Sequence, residues 1–398
     1  MTGTRSNPPA RLLLYEPRIE GHHLVWLKFI TEDLLSAGWP LALAVDTRPA
    51  SYDRVKKRLG PLLEQVTVLP VYENSGQKMG GEGVASVANC FERSGAQQVF
   101  LNTFDEIASP LLRSAALGRL PPASLRGKVG GIYIRPRFLA QRGFSLNEWL
   151  KDRGFARLMR EGWLKPLLFL DPWINEKYHT RFPQTQTFAL PDPSPDNFRA
   201  DQESARKLFG ISPDRKVFLF YGGAYRRKGL HLAVEAFLSL PKDSNAFLLC
   251  AGQQPDDTGV KEGLETLVRE GRAQVLSRYI FEEEEKQLFA ASDVVLLPYI
   301  RHFGNSAVLS RAAGASKTVI ASDEELVGRL VREHRLGLLF PSGDAVALRQ
   351  AILSATHASP DEQARWKIAA LSFAHKSSRA EFRRILLEAF GPPGKPSN

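Results

Sequence analysis

The chain has 398 residues, more than one hydrophobic core usually serves, so two domains are the expectation. It is 43% hydrophobic and 24% charged, an ordinary globular make-up, and its two cysteines, Cys90 and Cys250, are too few and too scattered for a disulfide framework or a zinc site. The net charge of +10 is uneven: residues 1–190 hold 25 Lys and Arg against 17 Asp and Glu, the remainder 28 against 26. No basic tract or nucleic-acid motif accompanies the surplus, which excludes nucleic acid as the favoured partner and points to a phosphorylated substrate or an anionic membrane surface. Cysteine usage fits a reducing cytosol, and the apolar run at 12–15 is too short for a signal peptide or a membrane span.

In chain order, residues 11–15 read as a buried strand, followed by a loop that ends in Gly21, His22 and His23. A helix follows with Leu27, Ile30, Leu34 and Leu35 at helical spacing, closed by Gly38, and residues 41–45 form the second strand. The loop therefore lies between the first strand and the first helix, where open α/β sheets bind ligands, and at most one of the two histidines faces such a site. Further strands are expected at 66–69, 98–102, 129–134 and 167–170, with a mobile glycine-rich loop at 74–83. Asp105 and Arg135 follow two of these strands on the same rim as the histidines, which is the expected acceptor side. Residues 150–165 interleave Lys and Arg with Leu, Phe and Trp. That pattern suits either an anionic bilayer or a core helix with snorkelling basic side chains, and Gly154 and Gly162 interrupt it.

Prolines 191, 193 and 195 alternate with small polar residues and mark the domain boundary. The strand at 216–221 runs into Gly222, Gly223, Ala224, Tyr225, Arg226, Arg227, Lys228 and Gly229, glycines that admit a ligand to the backbone beside cations suited to phosphate. Strands are expected at 246–251 and 274–276, and Glu282, Glu283, Glu284 and Glu285 open a helix as an acidic cap. The apolar strand 294–297, stopped by Pro298, leads to His302, Phe303, Gly304, Asn305 and Ser306. A helix carrying Val308, Leu309, Ala312 and Ala313 on its buried side comes next, then a strand at 318–321. Free N–H groups at that helix's positive end suit an anion, of which a nucleoside diphosphate is the commonest. A strand at 336–340, a helix at 345–354 and a last amphipathic helix at 379–390 precede a flexible tail.

The glycine loop ending in Arg-Lys-Gly, the A-S-D-V-V-L-L-P-Y strand, the R-A-A-G helix and the proline hinge, in this order, resemble the retaining GT-B glycosyltransferases of family four. The resemblance covers about 150 residues of the second half and rests on Gly21, His22 and His23 in the first. It implies an α/β GT-B fold, two Rossmann-like domains with parallel sheets facing across a cleft. An acceptor domain would span residues 1–190, a donor domain 191–376, and a helix from 377 would cross back. It further implies transfer of a sugar from a nucleoside-diphosphate sugar to a glycan, polysaccharide or lipid-linked acceptor, with retention, without a metal or other cofactor, in the cytoplasm and peripherally at the inner membrane face. Lys228, helped by Arg227, would neutralise the leaving diphosphate, and His23 would act beside them. Gly222, Gly223, Arg226, the loop Phe303, Gly304, Asn305, Ser306 and Ala307, and Arg311 beyond it would bind the donor, and Gly21, His22, Asp105 and Arg135 would lie on the acceptor side. One departure is marked: the family's two donor-loop glutamates are Phe303 and Arg311 here, and Gly223 stands where an arginine often follows the first loop glycine. A non-catalytic GT-B scaffold in glycan assembly is the alternative that this departure raises.

Overall fold

The computed structural model describes residues 11–20, 22–140, 145–196, 198–223, 225–254 and 257–393. The chain forms two compact units, Met1–Leu190 with Arg383–Asn398, and Pro191–Phe382. The first carries a seven-stranded sheet of β1 (Leu12–Glu16), β2 (Leu41–Val45), β3 (Thr67–Pro70), β4 (Gln98–Leu101), β5 (Val129–Tyr133), β6 (Leu164–Phe169) and β7 (Thr187–Ala189). The second carries six: β8 (Lys216–Tyr221), β9 (Ala246–Ala251), β10 (Ala273–Leu276), β11 (Val294–Leu297), β12 (Thr318–Ser322) and β13 (Gly337–Phe340). Every pairing is parallel, in the orders β3-β2-β1-β4-β5-β6-β7 and β10-β9-β8-β11-β12-β13. This is the doubly wound α/β architecture expected from the sequence.

The strands are short apolar runs because helices cover both sheet faces: β1, β2, β5, β11 and β12 are buried at every position. In each sheet the strand order reverses beside one central strand, between β1 and β4 and between β8 and β11. The backbones diverge at such a point and leave a crevice at the strand C-termini. That topological fact positions both candidate sites.

Three expectations need correction. The basic segment at 150–165 is a helix only as far as Arg160, spanning Leu146–Arg160, and Gly162 then turns the chain into β6, which starts at Leu164 and not at 167. Its Phe155, Leu158 and Met159 are buried, so its apolar face packs in the core; Gly154 lies against the Leu112 carbonyl so closely that any Cβ would overlap it. The glycine-rich loop at 74–83 is pinned: Tyr72 and Lys78 form an antiparallel bridge, and Lys78 Nζ pairs with Glu106 at 2.9 Å. The acidic run is more than a cap, since Glu285 is only 6% exposed. The last helix, Arg379–Phe390, belongs to both units: Phe382 ends the second, while Phe390 stacks edge-on against Phe100 (5.0 Å) and Trp39 (5.8 Å) of the first.

Candidate functional site

In the second unit the polar groups gather at the ends of β8 and β11. Gly222 leaves β8 with φ +106°, a conformation that favours glycine, and a short 3-10 turn over Arg226–Lys228 follows. Gly229, at φ +74°, lies so close to the Pro298 carbonyl that no side chain fits, which locks this turn onto the loop after β11. Across that seam Lys228 Nζ donates to Tyr299 Oη at 2.9 Å, and the Tyr299 hydroxyl shares a 2.9 Å hydrogen bond with Ser306 Oγ. Arg227 Nη1 lies 2.7 Å from His302 Nδ1. A guanidinium only donates, so Nδ1 accepts and the Nε2 proton is left for the Asn305 carbonyl at 3.2 Å. Two cations are thus tied by neutral partners to the residues that open the helix Ala307–Gly314.

Ser306 does not cap that helix with its side chain. Leu309 N–H and Ser310 N–H turn back to the Ser306 carbonyl, and the N–H groups of Ala307 and Val308 are the first-turn donors a helix leaves over. Gly304 is buried at φ +108°, and Phe303 and Asn305 are half-buried. Arg226 is peripheral, 80% exposed and 3.8 Å from Asp257, while Gly223 packs near the Tyr225 ring; Ala224 lies outside the described residues.

Arg311 does not stand where a glutamate would with its charge unanswered. Its Nε lies 2.6 Å from Glu285 Oε1, and Nη1 donates to the Ala307 carbonyl at 3.2 Å. Burial, reinforced by the neighbouring Glu285 carboxylate, pushes the Tyr221 hydroxyl well above its ordinary range. The ion pair thus ties the helix Ala307–Gly314 to the helix Glu282–Ala291.

In the first unit the corresponding crevice centres on Glu16, which is 1% exposed at the end of β1. His23 Nδ1 lies 2.8 Å from Glu16 Oε2, Asn102 Nδ2 donates to the same oxygen at 2.6 Å, and Arg18 N–H takes Oε1 at 2.9 Å. Asn102 also donates to the His23 carbonyl at 2.9 Å, so β4 fixes both the ring and the helix start. A carboxylate only accepts, so Nδ1 carries the proton that binds Glu16. His22 opens the helix His22–Ser36, its side chain falls outside the description, and Gly21 lies outside the described residues.

Asp105 and Arg135 meet in one polar hollow of about 230 Å³ with Tyr133, Arg137 and Lys151. Asp105 accepts the N–H groups of Ile134 (2.7 Å) and Arg135 (2.9 Å), and burial still pushes its carboxyl above the usual range. Sequence reasoning missed Glu16, Asn102, Tyr299, His302 and Glu285. Glu16 ends an apolar strand, and Tyr299 and His302 stand inside the loop itself, so position marked those three; nothing local marked Glu285 as Arg311's partner. Among the described residues no three His, Cys, Asp or Glu side chains gather as metal ligands would, and no helix is long and apolar enough to cross a membrane.

Residues 201–372 match the family model for glycosyl transferases group 1. No curated protein matches the chain in sequence. Among solved structures it is similar to Anabaena Alr3699/HepE in complex with UDP and glucose, at 16% identity over 96% of this chain and 99% of that one, TM-score 0.66. Sucrose-phosphate synthase from Thermosynechococcus elongatus aligns at 17% identity over 96% and 99%, TM-score 0.64. WaaG, a glycosyltransferase involved in lipopolysaccharide biosynthesis, aligns at 15% over 96% and 100%, TM-score 0.62. The match to glycosyl transferases group 1 thus falls within the second unit, and the two doubly wound parallel sheets give the chain the fold of these solved structures.

Proposed function

We propose that the protein transfers a sugar, with retention, from a nucleoside-diphosphate sugar to a glycan or lipid-linked acceptor, and that the second unit grips the donor. The supporting observation is the continuous link from Lys228 through Tyr299 to Ser306, which sets an ammonium beside the spare N–H groups of Ala307 and Val308. As the bond from the anomeric carbon to the phosphate oxygen breaks, negative charge grows on the departing diphosphate. A preorganised cation and helix N-terminus stabilise that charge more than they stabilise the intact donor. Arg227, steadied by His302, serves the same oxygens. On the first unit, His23, oriented by Glu16, serves the acceptor hydroxyl, and Asp105 and Arg135 line the neighbouring hollow. The basic surplus of residues 1–190 suits an acceptor that carries phosphate or sits at an anionic membrane surface. Uridine is a sensible first base to try, because the HepE structure holds UDP and glucose.

A second reading, a GT-B protein that binds without turnover, is favoured by one observation: neither Phe303 nor Arg311 can accept a hydrogen bond from a sugar or ribose hydroxyl. Release of free nucleoside diphosphate from a panel of nucleotide sugars, with and without glycan acceptors, separates the two. Turnover with any donor supports transfer, and tight nucleotide binding without release under every condition supports the second reading.

A further inference from the structure

A second hollow, of about 400 Å³, lies wholly within the second unit and involves none of the donor-loop residues. Its wall is made by Ser194, Phe198 and Arg199 of the connecting segment, Lys286, Gly314 and His375. That volume lies within the range of small-molecule sites, about 300–1,000 Å³. The side chains of Arg199, Lys286 and His375 have no hydrogen-bond or ion-pair partner among the described residues. One carboxylate, the exposed Asp196, shares the wall. Two permanent cations and an imidazole therefore converge on one space with a single opposing charge.

The buried polar group at the base is the more telling feature. Ser194 is 5% exposed, and its Oγ finds no hydrogen-bond partner, although its N–H donates to the Ser377 carbonyl at 2.7 Å. A buried hydroxyl left unmatched costs free energy, so such a group marks a place where something else supplies the partner. Gly314 contributes to the same geometry: a Cβ there would overlap Ser194 Oγ, so the absent side chain keeps room for the hydroxyl. The helices Ala307–Gly314 and Pro360–Lys376 both end near the hollow, and their negative ends oppose an anion. That effect is confined to partial charges, whereas Arg199 and Lys286 carry whole ones.

We infer that this hollow binds a small phosphorylated compound, its phosphate held by Arg199 and Lys286 and its hydroxyl-bearing body set over Ser194 and the Phe198 ring. Such a ligand touches both segments that join the two units, because Ser194 and Ser378 pair in parallel where the outgoing and returning chain run side by side. The site is an effector site, chemically separate from the donor loop.

Glucose 6-phosphate and inorganic phosphate serve as probes on the full chain, with binding followed by calorimetry and thermal shift. Glucose 6-phosphate is expected to bind in the presence of saturating UDP, to bind the Lys228→Ala variant equally well, and to lose affinity by about tenfold or more in Arg199→Gln/Lys286→Gln. Ser194→Ala is expected to raise the melting temperature of the free protein and to weaken the probe. Competition with UDP together with loss in Lys228→Ala would move the probe to the donor loop and overturn the assignment. Absence of binding of either probe at about 10 mM would also overturn it. A folded double variant that binds as the parent does would sink it as well.

Discussion

The end of β1 and the end of β8 hold equivalent places in their sheets, yet the first is built around a buried carboxylate and the second around cations. Glu16 collects His23, Asn102 and the Arg18 N–H, whereas Lys228 and Arg227 lean on a tyrosine hydroxyl and an imidazole. A buried anion that satisfies itself with neutral donors fixes a proton on a chosen nitrogen. Cations that satisfy themselves with weak neutral acceptors keep their charge available for an incoming anion. The proposed function assigns proton placement to this crevice in one unit and diphosphate capture to it in the other.

The sharpest way to break this contrast is Lys228→Ala, expected to lower turnover by about 100- to 1,000-fold with an unchanged circular dichroism spectrum. Retained turnover would show that the cation is structural. Next comes Glu16→Gln, which keeps the shape but no longer fixes the Nδ1 proton of His23; turnover should fall by about 100-fold, with nucleoside-diphosphate affinity unchanged. A parallel loss of nucleotide affinity would mean that the two crevices do not divide the work. Third, Glu285→Ala leaves the Arg311 guanidinium part-buried beside Tyr221 and is expected to cost about 3 kcal/mol of stability, most of it recovered in Glu285→Ala/Arg311→Met. Additive losses in urea unfolding would deny the coupling.

The smallest expected effect concerns Lys317, whose ammonium donates to the Ala290 carbonyl at 2.9 Å. Burial disfavours its charged form and lowers its pKa from the ordinary 10.5 to about 8. Between those two values the unfolded chain keeps a proton that the folded chain has shed, so this group adds stability as pH rises through the window. The melting temperature of Lys317→Met should therefore exceed the parent's at pH 7 by a few degrees, and the gap should close toward pH 10. A constant gap would assign the effect to packing.

The legible part of the fold was the part set by local chemistry. Strands β8, β9, β11 and β12 must be apolar because both faces are covered, and Gly222, Gly252 and Pro298 punctuate the exits of the first three, so the turn after β8 and the loop after β11 could be placed by inspection. The three-residue β7 is too short to show a pattern. The helix Pro360–Lys376 was overlooked although Ser359 and Glu362 form a capping box ahead of it, a signal that was there to be used. What no local pattern could reveal were pairings across distance: Arg311 with Glu285, and Lys78 with Glu106. Each joins residues more than twenty positions apart, and an isolated charge in a sequence reads as surface until its partner is located.

The shared helix Arg379–Phe390 has a consequence for how the chain is made. Phe390 completes the aromatic contact over Phe100 and Trp39, and Arg383 reaches the buried Asp33 at 3.6 Å. During synthesis the first sheet emerges from the ribosome before the second but waits for the helix Arg379–Phe390, made after the whole second sheet, before that contact can close. Truncation after residue 386 would accordingly injure the first unit, although the second lies nearer the cut in sequence, and a nascent chain stalled near residue 380 should expose Trp39 to quenchers.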